Sequence, residues 1–98
     1  MSYKLEFSDK ALSKLEVLGQ SDTKKLRQVF MKILSLRRIP FPNDSKKLEN
    51  FNYQGLNGYR VDQGEYRIVY VVDETKKVVM IGLILNRNED YRELKTHK

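Results

Sequence analysis

A chain of 98 residues, 40% of them hydrophobic and set in patterned runs, fits one folded domain over residues 1–98 with a single modest core, and excludes a disordered tail. Its 19 Lys and Arg against 13 Asp and Glu leave a formal charge of +6, which favours a polyanionic or acidic partner but also serves plain solubility. The absence of Cys excludes disulfides, thiolate chemistry and cysteine-bearing zinc sites, and the one His, His97, gives a histidine metal site nothing to build on, so no cofactor is expected.

Tyr3, Leu5 and Phe7 alternate with Lys4 and Glu6, the period of two of a short half-buried strand. Ser8 or Asp9 caps the helix that follows. In it Ala11, Leu12, Leu15 and Leu18 fall at helical spacing before Gly19, a residue suited to the C-terminal end. Ser21 or Asp22 caps a second helix, with Leu26, Val29, Phe30, Ile33, Leu34 and Arg37 on one face. The other face, Lys24, Lys25, Arg27, Gln28 and Lys32, is most simply solvated surface. The pair reads as a helical hairpin whose apolar side lies on the strands that follow.

From Arg38 to Asn57 the chain turns to Pro40, Pro42, Asn43, Asp44, Ser45, Asn50, Asn52 and Gly55, the chemistry of a long loop. Arg37, Arg38, Lys46 and Lys47 are interleaved there with Phe41, Phe51 and Tyr53. Such a mixture suits phosphate contact and base stacking, although loop aromatics more often plug the edge of a core. Tyr59 to Asp62 and Tyr66 to Asp73 then read as a hairpin turning at Gln63, Gly64 and Glu65. A further turn at Asp73 to Lys77 leads into Val78 to Leu85, VVMIGLIL, an apolar central strand in which Gly82 permits a close approach or a bulge.

The fold class is therefore α+β: an N-terminal strand, a two-helix hairpin, then a three-stranded antiparallel sheet that the first strand joins. Asn86 to Asp90 break the pattern, and Tyr91 to Lys95 read as a last helical turn. The N-terminus carries no apolar leader core. The longest apolar run is far below the roughly 20 residues that span a bilayer, so a cytoplasmic protein with no membrane role is expected.

Arg60, Arg67 and Arg87 stand in or just after strands that are otherwise strongly apolar. A guanidinium keeps its charge and is costly to desolvate alone, so each needs a partner. Three together point to an anionic ligand. The alternative partners for Arg67 within the chain are Asp73, Glu65 and Glu89.

These residues carry a recognisable pattern. YKLEFSDKALSKLEVLG before a second helix, KKLENF, GYRVDQGEYRIVYVV and the closing NRNEDYREL together resemble the RelE branch of the RelE/ParE toxin superfamily, the toxins of type II toxin–antitoxin systems. The specific part is GYR, then GEYRIVY, an apolar strand, and NR with YR three residues on. The resemblance implies a RelE-like microbial RNase-type fold and an endoribonuclease that cuts mRNA in the A site of the small ribosomal subunit, held inactive by a cognate antitoxin. Carried over by position, it makes Arg67, Arg87 and Tyr91 catalytic and Arg60 a substrate-binding residue; Lys46 and Lys47, from the basic and aromatic loop, join them as expected RNA contacts. The family's ParE branch acts on DNA gyrase and usually lacks this arginine and tyrosine set. The alternative reading is thus a non-catalytic ParE-like toxin, or an inactive homologue that binds an antitoxin.

Metal-free cleavage of RNA needs the 2′-OH deprotonated, the phosphorane's extra charge neutralised and the leaving 5′-oxygen protonated. Arg67 and Arg87 suit the second task, since a guanidinium offers paired donors to phosphate oxygens. Tyr91 suits a hydrogen bond to the 2′-OH or stacking on a base. For the proton acceptor the chain departs from the family, with Asn86 where many members have histidine and Asp62 near a common second basic position. Asp62 and Glu65 are the acidic residues placed to act as general base.

Overall fold

Ser8 ends the first strand and opens the first helix, and in the computed structural model, which describes residues 2–87, its hydroxyl fixes both events. The oxygen accepts the Ala11 N–H at 3.1 Å, capping the helix, and donates to Gly82 C=O at 2.6 Å, tying that cap to the sheet. The elements in order are β1 Lys4–Phe7, α1 Asp9–Ser21, α2 Thr23–Ser35, β2 Lys46–Tyr53, β3 Leu56–Gln63, β4 Tyr66–Asp73 and β5 Val78–Asn86.

Gly19 does not end α1. The helix runs two residues further, and Gly19 lies where α2 comes close: a Cβ there would meet Leu26 Cδ2 at 3.4 Å. Asp22 is the joint between the helices. Its N–H donates to Leu18 C=O at 2.8 Å, and its carboxylate accepts the Lys25 N–H at 3.1 Å.

The five strands form one sheet in the order β1-β5-β4-β3-β2, with β1 parallel to β5 and every other pair antiparallel. The expected three-stranded antiparallel run is therefore four strands long. The extra one is β2, which lies inside the stretch expected to be loop. Its alternation is broken by Asn50, at φ 58, where the pairing slips between Lys47 and Asn52. The tight turn that joins it to β3 has Gln54 at φ 53 and Gly55 at φ 84, the two positive angles of a type I′ hairpin.

Both helices cover one face of the sheet. Ala11 and Leu18 of α1, Val29 and Ile33 of α2, and Leu36 pack against Val61, Tyr66, Ile68, Tyr70, Val72, Val79, Ile81 and Ile84. Gly82 is the bulge expected of it: Tyr70 pairs with Ile81 but Val69 with Leu83, which keeps Ile81 and Ile84 on the same buried face. Among the described residues no helix is long and apolar enough to cross a membrane. Tyr91, Glu89 and the expected turn over Tyr91 to Lys95 lie outside the described residues.

Candidate functional site

Because side chains alternate along a strand, burying Val61 and Ile68 under the helices turns Arg60, Asp62 and Arg67 to the opposite face. The turn between β3 and β4 is two residues, Gly64 and Glu65, with positive φ only at Gly64 (59°), the sign pattern of a type II′ turn. This length pairs Gln63 with Tyr66 and Asp62 with Arg67. Arg67 Nε donates to Asp62 Oδ1 at 3.0 Å.

The other two arginines reach the same carboxylate. Arg60 Nη1 and Arg87 Nε each lie 3.6 Å from Asp62 Oδ2. Arg60 is two residues before Asp62 on β3, hence on the same face. Arg87 arrives from the end of β5, where its N–H donates to Glu65 C=O at 2.9 Å beside the hairpin turn. Among the described residues three cations share this one anion, which leaves the described cluster with a net positive charge. Arg60 and Arg67 are half-buried, at 23% and 21% exposure, while Arg87 at 57% stands at the rim.

A cleft of about 580 Å³ opens beside this cluster, lined by Glu65, Arg67, Asn86 and Arg87. The Glu65 carboxylate is drawn toward Lys25 Nζ at 2.9 Å, a contact that raises the lysine's pKa and ties the start of α2 to the hairpin tip. Lys46 pairs directly with Arg60 across β2 and β3 and so shares the arginine face, whereas Lys47 pairs with Tyr59 and points to the other. Arg37 donates to Tyr3 C=O at 3.3 Å, at the opposite edge of the sheet. Among the described residues no cluster of acidic and histidine side chains is arranged to hold a metal ion.

The structure thus brings together Arg60, Arg67, Arg87, Asp62 and Lys46, places Glu65 at the cleft wall, and sets Lys47 apart; Tyr91 is outside the described residues. The described partner of Arg67 is Asp62, not Asp73 or Glu65. Of the aromatics in the stretch expected to be loop, Phe41 and Phe51 rest on neighbouring residues while Tyr53 is exposed. Phe41 meets Tyr59 edge-on with ring centroids 4.9 Å apart, and Phe51 lies over Gly58, where a Cβ would run into its ring.

The sequence profile of the family described as the ParE toxin of type II toxin–antitoxin system, parDE, matches residues 5–91. No curated protein matches the chain. Among solved structures, a chain of the archaeal RelE–RelB complex from Pyrococcus horikoshii is 26% identical with a TM-score of 0.74, over 92% of this chain and 100% of that one. The isolated RelE toxin of E. coli is 21% identical with a TM-score of 0.70, over 96% of each chain. A YoeB/ParE toxin from Agrobacterium tumefaciens is 16% identical with a TM-score of 0.70, over 86% of this chain and 98% of that one. The last two likenesses are of fold.

Proposed function

The chain belongs to the ParE toxin family of type II toxin–antitoxin systems, in the RelE-like branch of the RelE/ParE superfamily, and on that premise we propose that it is a metal-independent endoribonuclease that cleaves mRNA on the ribosome. The observation that carries this reading is the meeting of Arg60, Arg67 and Arg87 at one point beside an open cleft. A half-buried cluster with excess positive charge is suited to a phosphodiester that gains negative charge on the way to a phosphorane.

In this scheme the 2′-oxygen attacks the adjacent phosphorus, the P–O5′ bond breaks, the departing O5′ takes a proton from water, and a 2′,3′-cyclic phosphate and a 5′-hydroxyl result. Arg67 and Arg87, which line the cleft, bear the charge on the non-bridging oxygens. Arg60 and Lys46 hold the backbone on the same face, and Lys47 belongs to a more distant contact. Tyr91 engages the nucleotide. The base removes the 2′-OH proton from within reach of the cleft, whose wall includes Glu65 and not Asp62; each carboxylate already faces cations, Lys25 for Glu65 and three guanidiniums for Asp62. Positioning and charge stabilisation carry most of the rate, with the ribosomal A site ordering the substrate.

A cognate antitoxin is the proposed protein partner. Solved relatives include toxin–antitoxin complexes, the Pyrococcus horikoshii RelE–RelB pair among them, and a basic site of this kind suits an acidic or wrapping partner in the cytoplasm. The matched family's ParE name supports a second reading, a non-catalytic toxin directed at DNA gyrase or an inactive antitoxin-binding homologue. Inducible expression separates the two. Growth arrest with mRNA cut within codons, relieved by Arg67→Ala and Arg87→Ala, supports the nuclease; arrest with intact mRNA and DNA damage overturns it.

A further inference from the structure

We propose that Asp62 is a built-in counter-ion: in the free protein its carboxylate stands where a substrate phosphate would meet Arg60, Arg67 and Arg87, and it weakens the site's hold on RNA. This rests on the reading of the cluster as an RNA-phosphate site and adds a residue that limits its affinity.

The contacts are graded in a way that fits a stand-in anion. The bond to Arg67 is a full hydrogen bond at 3.0 Å, between residues paired across β3 and β4. The contacts to Arg60 and Arg87, at 3.6 Å each, are ion pairs too long for good hydrogen bonds. Arg67 and Arg87 both approach through Nε, only one of the five N–H donors of a guanidinium. The carboxylate thus holds the three cations near one another, Arg67 and Arg87 through Nε and Arg60 through the single terminal nitrogen Nη1.

Asp62 cannot leave when phosphate arrives. Its Cα lies within β3, with Val61 on one side buried in the core, so the carboxylate swings about its own side-chain bonds but stays within a few ångströms of the bound anion. Two anions then share the same cations, and their repulsion weakens binding. The carboxylate is 31% exposed, so water and salt screen this repulsion only in part. Without the aspartate the three guanidiniums would present their whole charge to any polyanion.

The test uses the full chain and a fluorescently labelled single-stranded RNA carrying 2′-O-methyl groups, which cannot be cut by 2′-OH attack. Asp62→Asn keeps the size and an oxygen acceptor for Arg67 Nε while removing the charge. It is expected to lower the Kd about three- to tenfold at low salt, with the gap closing as KCl rises. Unchanged or weaker binding by folded Asp62→Asn overturns the proposal. Should that variant fail to fold, Asp62→Ser, also uncharged, is held to the same outcome. Arg67→Ala and Arg87→Ala separate the two levels. If they leave RNA binding unchanged, the phosphate-site reading itself fails; if they weaken it and the Asp62 variants do not tighten it, only the counter-ion role fails.

Discussion

Asp62 and Arg67 face each other across the β3–β4 hairpin, joined at 3.0 Å, because the turn between the strands holds two residues and no more. Gly64 makes that turn possible with its φ of 59°. A Cβ there would touch nothing, so the cost of Gly64→Ala is backbone strain alone. It should lower stability by about 1–2 kcal/mol. Urea denaturation measures this, and an unchanged midpoint would show that the turn does not depend on glycine.

Arg67 and Arg87 should part company when stability is compared with activity. Removing Arg67 leaves the half-buried Asp62 without the guanidinium that hydrogen-bonds it, which should cost about 1–3 kcal/mol. Arg87 is 57% exposed and its ion pair is long, so Arg87→Ala should fall within about 0.5 kcal/mol of the parent. Both should lower RNA cleavage by on the order of a hundredfold. Denaturant midpoints and single-turnover cleavage of one RNA by both variants check the contrast. A stable, fully active Arg87→Ala would remove Arg87 from the chemistry.

The same hairpin shows what was legible in the sequence. The three arginines stood out because guanidinium is out of place in apolar strands, and the structure gathers all three at one point. Their shared partner was harder to see. A three-residue turn over Gln63 to Glu65 sets Asp62 opposite Tyr66; the observed two-residue turn sets it opposite Arg67, so a shift of one residue decides which side chains meet. The strand β2 was hidden for a related reason. Its lysines, asparagines and glutamate read as loop, and only its hairpin pairing with β3, Lys46 with Arg60 and Asn52 with Asn57, makes it a strand. The helices followed from local spacing and capping, but Leu12 and Phe30, read onto their apolar faces, are exposed, Arg37 falls beyond the end of α2, and Gly19 serves a close helix–helix approach and not a helix end.

Gly58 and Phe51 should behave as a coupled pair. A methyl group at position 58 would overlap the Phe51 ring, so Gly58→Ala must push the ring aside and should cost about 1–3 kcal/mol. Phe51→Ala alone uncovers that part of β3. In Gly58→Ala/Phe51→Ala the overlap is gone, so the double variant should be less destabilised than the sum of the two singles, by at least about 0.5 kcal/mol. Chemical denaturation of all four proteins closes the cycle, and simple additivity would show that the ring does not rest on Gly58.

Tyr70 gives the fold a defined weakness in alkali. The side chain is 1% exposed, its hydroxyl donates to Pro40 C=O at 2.7 Å, and burial pushes its pKa up to about 12 from an ordinary value of 10.0. Between those values the unfolded chain gives up the phenolic proton more readily than the folded one, so the unfolded state binds fewer protons and stability falls as pH rises. The contribution is whole below pH 10 and is lost as pH climbs toward 12. One unit above the unfolded value it has shrunk by about 1.4 kcal/mol. Tyr70→Phe removes the titration together with the hydrogen bond to Pro40, so at neutral pH it should be less stable than the parent by about 1 kcal/mol. Lys25 and Tyr66, whose pKa values are also raised, titrate in both proteins and cancel in the comparison. The stability gap should therefore narrow steadily and close near pH 11, as read from denaturant midpoints of the two proteins. A gap that stays constant from pH 8 to 11 would mean that the buried phenol ionises as readily in the folded chain as in the unfolded one.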